Sequence, residues 1–286
     1  MKKSVRLLIT FGIIVVGLLI AAYPFISNYL YEHKQEEVIS AYDEQIKGEK
    51  EDVLKKEWEL AEEYNKELLN ANIVLSDPFD PNAFRAKTSH SYESLLNQSQ
   101  DGVMGYLEIP VIDLNLTIGH GTGERVLESG VGHLKNTSLP VGGESTHAVL
   151  SAHTGLPGKK LFTDLSQMEK GDVFYIHVLG KKLSYQVAQI KVVKPEDTKD
   201  LTIQNEKDLV TLVTCTPYGV NSHRLLVRGK RIANELADEK SSNIEKKTES
   251  QWMKQYWHGV LIGLLILIWI LLIYRVYRIW RKVNGY

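Results

Sequence analysis

Apolar and polar positions alternate with three different periods along this chain. Residues 7–26, LLITFGIIVVGLLIAAYPFI, form a nearly unbroken apolar run, about the length that crosses a bilayer as a helix. Residues 28–72 then change to helical spacing. Val38, Tyr42 and Ile46 recur on one face, as do Leu54, Trp58, Ala61 and Leu68, with Gly48 dividing the two sets. An extended stalk and a helical hairpin packed on a domain both fit this spacing. In the following segment, NIVLSDPFDPNAF, two closely spaced Asp-Pro steps forbid regular helix and favour an ordered loop. Phe79 and Phe84 make it too apolar for a plain linker.

From Gly102 the period drops to two. GYLEIPVIDLNLTIGH predicts two short strands around Pro110, and GTGERVLESG a short capped helix. HAVLSAHT predicts a strand and KKLFTDLSQM a short helix. DVFYIHV and KLSYQVAQIKVV predict a strand pair around Gly180. DLVTLVTC and HRLLVRGKRI complete the set. Many short strands with few helices predict a mainly β fold, a closed or nearly closed β-barrel. A charged stretch, ELADEKSSNIEKKTES, leads to a second apolar run, WHGVLIGLLILIWILLIY at 257–274. A helix apolar on every face is rarely the core helix of a soluble protein.

Basic residues flank both runs on their terminal sides: Lys2, Lys3 and Arg6 before the first, and Arg275, Arg278, Arg281 and Lys282 after the second. The positive-inside rule therefore predicts cytoplasmic termini and an extracellular middle. Trp252, Trp257, Tyr274 and Trp280 fit interfacial belts around the second span. A cleaved signal peptide is the competing reading of the first run. Its length argues against cleavage, as does the lack of a small-x-small site before NYLYEHKQ.

Composition narrows the classes. The 286 residues carry a net charge of −1, which gives no bulk field suggesting a nucleic-acid partner. One cysteine excludes an intramolecular disulfide and any multi-thiolate zinc site. The nine histidines have no metal-ligand spacing, so no structural metal is expected.

The lone Cys215 ends an apolar strand, where Thr216-Pro217-Tyr218-Gly219 breaks it, and Arg224 begins the next strand. Buried inert cysteines are common. A strand end, however, is a rigid place to hold a reactive sulfur, and a nearby cation raises the thiolate fraction. With a histidine as proton carrier and a guanidinium as oxyanion partner, such a thiol can carry out acyl transfer. The residues alone leave the histidine open. His120 and His153 each end an apolar strand, with His133 and His147 nearby. His177 lies inside a strand, and His223 is too close along the chain to face Cys215 easily.

Three motifs together resemble the sortases, cysteine transpeptidases of Gram-positive cell surfaces. TLVTC matches their nucleophile motif, NSHRLLVRG their arginine motif and SAHTG their histidine motif, which selects His153. GHLKNTSLPVGGESTHAVLSAHTGLPGKKLF, the two spans and SDPF resemble class C, the pilus-assembly sortases. The resemblance implies a sortase-type closed barrel in which Cys215 attacks the Thr–Gly bond of an LPxTG-like signal. His153 acts as acid and base, and Arg224 holds the substrate and oxyanion. A pilin lysine then resolves the thioacyl enzyme into an isopeptide bond, with no cofactor. It also implies a lid, with Asp77 near Arg224 and Phe79 near Cys215. Leu212 and Thr214 are read as substrate-binding residues. The expected partners are pilin subunits, the membrane and a peptidoglycan precursor.

The resulting segments are a cytoplasmic N-terminus (1–6), a transmembrane helix (7–27), a helical segment (28–75) and a lid loop (76–84). The catalytic barrel (85–234), a charged linker (235–256), a second transmembrane helix (257–274) and a basic tail (275–286) follow. Two alternatives remain: a housekeeping-type sortase that anchors proteins to peptidoglycan, and a non-catalytic membrane-tethered module. A papain-like protease is disfavoured by the absence of a CGSCW-type segment.

Overall fold

In the computed structural model, which describes residues 3–71, 75–80, 91–156, 158–242 and 250–283, the period-two segments become eight strands. These are β1 (Val103–Ile109), β2 (Leu114–His120), β3 (Val131–His133), β4 (Thr146–Ser151), β5 (Val173–Val178), β6 (Lys181–Val193), β7 (Asp208–Thr216) and β8 (His223–Ile232). They close into a barrel in the order β1-β2-β3-β4-β7-β8-β6-β5. Closure removes the unpaired edges that an open sheet must protect. Two of the pairings are parallel, β2 with β3 and β4 with β7. The three-residue β3 is too short to produce a visible alternation and is absent from the sequence reading.

Side chains alternate between the two faces of β7. Val210 and Leu212 join the main apolar core with Leu107, Ile118, Leu150, Phe174 and Val227. Val213 lies on the other face, in a second cluster with Val149, Val193, Leu201 and Leu226. Fully burying one such side chain contributes roughly 1.5–3 kcal/mol, so both faces of β7 are held by packing.

Helices α1 (Lys3–Gly48) and α2 (Glu51–Asn70) break near Gly48. Of the two readings left open for this region, the helical hairpin is observed. Tyr42 and Ile46 of α1, with Ala61, Tyr64 and Leu68 of α2, enter the main core. The Tyr42 hydroxyl donates to the Met104 carbonyl at 3.0 Å and accepts from the Leu179 amide at 2.9 Å. The Asn65 amide group bonds the Leu139 backbone in both directions. α1 passes without a break through the boundary drawn at residue 27 and carries Pro24 inside it.

The short helix α3 (Glu124–Ser129) follows β2, and Gly123 at its N-cap offers no side-chain cap. The segment Leu161–Gln167 is a 3-10 helix. The stretch read as a charged linker opens with helix α4 (Asn234–Ser242), whose Ala237 is buried. Tyr175 donates to the Ala237 carbonyl at 3.1 Å, and Lys182 pairs with Asp238 at 2.7 Å. Residues 243–249 of that stretch lie outside the described residues, as do Phe84 and residues 81–84 of the lid loop. Helix α5 (Gln251–Val283) contains the second apolar run. Among the described residues, two helices, Phe11–Gly48 and Tyr256–Trp280, are long and apolar enough to cross a membrane.

Candidate active site

Three adjacent strands bring the sequence-predicted residues to one rim. In the parallel β4–β7 pair, Ser151 lies opposite Val213. His153 and Cys215 each follow that register pair by two residues, which keeps them on the same face. On the other side, Cys215 is the register partner of Arg224 in the antiparallel β7–β8 pair. Cys215 thus sits on the middle strand of three. Adjacent strands are about 4.8 Å apart, within side-chain reach in both directions.

Local bonds fix the ends of these strands. The Thr214 hydroxyl donates to the Ala152 carbonyl at 2.8 Å, and the Ala152 amide donates to the Val213 carbonyl at 3.3 Å. The Phe162 amide donates to the His153 carbonyl at 3.0 Å. Beyond His153, Gly155 has φ +74, and a Cβ there would lie 3.1 Å from the Tyr218 ring, so the turn needs glycine.

Residues 75–80 cover this rim. Asp77 accepts from Arg224 Nε at 2.9 Å and from Nη2 at 2.6 Å, a bidentate pair in which both side chains are mostly buried. Phe79 lies 5.7 Å from the His153 ring and 4.9 Å from the Arg224 guanidinium, measured to the Phe79 ring centroid. It therefore bridges the histidine and the arginine. Those two residues stand at the ends of the strands to either side of Cys215, near which the sequence reading set Phe79. Leu75, one residue before the expected start of the lid, packs with Phe79 on the second apolar cluster and accepts a bond from Thr198 at 3.1 Å. No sequence signal marks Leu75 beyond its own apolarity.

The electrostatics describe a closed, uncharged pair. Burial pushes the Cys215 thiol up from its ordinary value; Arg224 opposes this, and Asp77 adds to it. Burial pushes the His153 imidazole down, opposed by Glu128 and Glu124 of α3 and helped by Lys159. Among the described residues, the His153 ring has no hydrogen-bond partner. Four other histidines are engaged elsewhere. His133 bonds Tyr92 and the Ser138 carbonyl, His147 bonds Thr211 and the Thr202 carbonyl, and His120 bonds the Gly102 and Leu95 carbonyls. His177 pairs with Glu108 at 2.9 Å.

Leu212 and Thr214 require a correction. Leu212 is fully buried in the main core, and Thr214 is buried with its hydroxyl bonded to Ala152. Their positions on β7 face away from Cys215, so neither has surface to offer a substrate. Missed by the sequence reading is a cleft of about 710 Å³ running from Phe79 and His153 along α3, lined also by Glu124, Glu128, Leu134 and Leu156. The four-residue spacing of the two glutamates was its one legible trace. Among the described residues, no cluster of three or more His, Cys, Asp or Glu is arranged to hold a metal.

The closed eight-stranded barrel carries a half-buried cysteine on its rim, and similarity to known proteins places the chain among the sortase transpeptidases. The Sortase domain model matches residues 107–232. Sortase D of Bacillus subtilis is 33% identical over 151 residues, which span 52% of this chain and 71% of that protein. The crystal structure of Streptococcus pneumoniae sortase C is 45% identical with a TM-score of 0.62, covering 69% of this chain and 97% of that one. Sortase C-1 of Actinomyces oris is 48% identical with a TM-score of 0.57, covering 63% and 99%. The chain belongs to the sortase family.

Proposed function

We propose that this chain is a pilin-polymerising transpeptidase, with Cys215 as nucleophile, His153 as proton carrier and Arg224 as oxyanion and substrate holder. The observation that carries this reading is the placement of Cys215 between the end of β4 and its register partner Arg224. The pneumococcal sortase C structure is described in terms of pilin substrate specificity. The high identity to sortase C structures supports the same substrate class here and disfavours the peptidoglycan-anchoring alternative.

The Cys215 thiol gives its proton to neutral His153 as sulfur attacks the threonine carbonyl of an LPxTG-like signal. Arg224 is released from Asp77 and donates to the oxyanion, because a guanidinium keeps its charge and presents several donors. The carbon–nitrogen bond to glycine breaks, and His153 returns the proton to the departing amine. A pilin lysine resolves the thioester. Residues 76–80 form a lid that must leave before any of this begins. In this reading both termini are cytoplasmic and the barrel is extracellular, consistent with the basic flanks of the two apolar helices.

The test uses the full chain in detergent carrying Asp77→Ala and Phe79→Ala. Incubation with an LPxTG peptide is expected to give a thioester adduct on Cys215, detected by mass spectrometry. Adding a lysine-bearing pilin fragment is expected to convert it to an isopeptide. An adduct on no residue, or on one other than Cys215, overturns the reading.

A further inference from the structure

His153 stands between two unlike surfaces. On the β7–β8 side lies the apolar cluster of Val149, Val213 and Leu226, covered by Leu75 and Phe79. On the β2–β3 side lies the cleft along α3, which His153 lines together with Phe79 and Asp80 of the lid. A transpeptidase must seat two substrates against one thioester, the acyl donor and the amine acceptor. The lid already lies over the apolar side, beside Cys215 and Arg224, where the donor signal has to be held.

We infer that the cleft along α3 is the entry path of the acceptor, and that Glu124 and Glu128 are residues specifying a lysine side chain. This rests on the transpeptidase reading above and extends it to the second substrate.

Three observations support this. First, Glu124 and Glu128 are four apart on α3, so they share one helix face, and both line the cleft. Both act electrostatically on His153. Among the described residues, neither carboxylate has an ion-pair partner. Second, the nearby cations are engaged. Lys135 pairs with Glu93. Lys159 donates to the Glu128 carbonyl at 2.6 Å and lies over the Tyr31 ring. Third, the cleft wall also carries Leu134, Leu156 and Val126. An apolar wall with acidic groups matches a lysine, whose methylene stem packs while its charged end stays near carboxylates.

The position also suits the chemistry. The lysine ammonium gives one proton to His153, and its nitrogen attacks the thioester carbonyl carbon. A carbon–nitrogen bond forms and the carbon–sulfur bond breaks. The departing Cys215 sulfur takes the second proton from nitrogen, leaving a neutral amide, a thiol and a protonated imidazole. Glutamates beside the imidazole stabilise that last charge.

The experiment measures the full chain in detergent, with the lid substitutions Asp77→Ala and Phe79→Ala, against the same chain with Glu124→Gln and Glu128→Gln. KM is determined separately for a lysine-bearing acceptor peptide and for an LPxTG donor peptide. The acceptor KM should rise about tenfold in the glutamine variant, and its dependence on salt should flatten. As a second variant, Glu124→Lys with Glu128→Lys should raise it further. An acceptor KM that does not move overturns the assignment. So does a donor KM that rises as much as the acceptor KM, which would give the cleft to the donor. Failure of the unsubstituted α3 chain to form any thioester overturns the transpeptidase reading, and the acceptor path with it.

Discussion

The Thr214 hydroxyl donates a 2.8 Å hydrogen bond to the carbonyl of Ala152. The residue before the proposed nucleophile thereby holds the residue before the proposed proton carrier, 62 positions away along the chain. The bond is buried, so its loss leaves an unpaired carbonyl at a cost of roughly 1–3 kcal/mol. Thr214→Val keeps the shape of the side chain and removes the donor. It should lower kcat for peptide transfer about tenfold, and Thr214→Ser should recover most of the loss. Equal rates for valine and threonine would show that this bond does not position the site.

Asp77 bears on Cys215 in two ways. It raises the thiol directly, and its charge offsets that of the Arg224 guanidinium, which lowers the thiol. Asp77→Ala should therefore move the cysteine's titration to lower pH. Iodoacetamide labelling at pH 7 should become several-fold faster, with the midpoint of its pH profile shifted downward. Adding Phe79→Ala should raise the rate again by uncovering the rim. A profile that stays in place in both variants would argue against a lid.

Burial pushes His133 and His147 down to about 4. Each binds fewer protons folded than unfolded between pH 6.5, the ordinary value, and about 4. Their stabilising effect is complete above the upper limit and is lost as pH falls through this window. The loss is on the order of 3 kcal/mol per histidine at the acid end. Melting of the full chain in detergent, followed by near-UV circular dichroism, should shift to lower temperature between pH 7 and pH 5. A constant melting temperature across that range would contradict the buried neutral state.

A reporter fused to the C-terminus should be active only on the cytoplasmic side, as should one fused to the N-terminus. Activity of either fusion outside the cell would reverse the proposed topology.

Most of the barrel was legible because its strands are amphipathic or flanked by clear turns. The alternation around Pro110 and Gly180 shows directly in β1, β2, β5 and β6. β3 was not legible, since three residues cannot display a period. α4 was hidden because only Ala237 of its nine residues is buried, so its charged surface reads as linker. At the site, motif resemblance selected Cys215, His153, Arg224, Asp77 and Phe79 as candidates. It could not show that Leu212 and Thr214 turn inward, which depends on where the alternation of β7 falls relative to the core. Nor could it show Glu124 and Glu128, whose significance depends on a long-range fold contact.

The parallel pairing of β4 with β7 makes function here depend on odd and even counting. Removing Leu209 or Val210 from β7, ahead of TLVTC, would leave every motif readable in the sequence. It would also rotate the sulfur to the opposite side of the sheet, toward Leu212 and the barrel interior, while His153 stayed where it is. A designer grafting this rim onto another barrel must therefore preserve strand phase before any individual side chain.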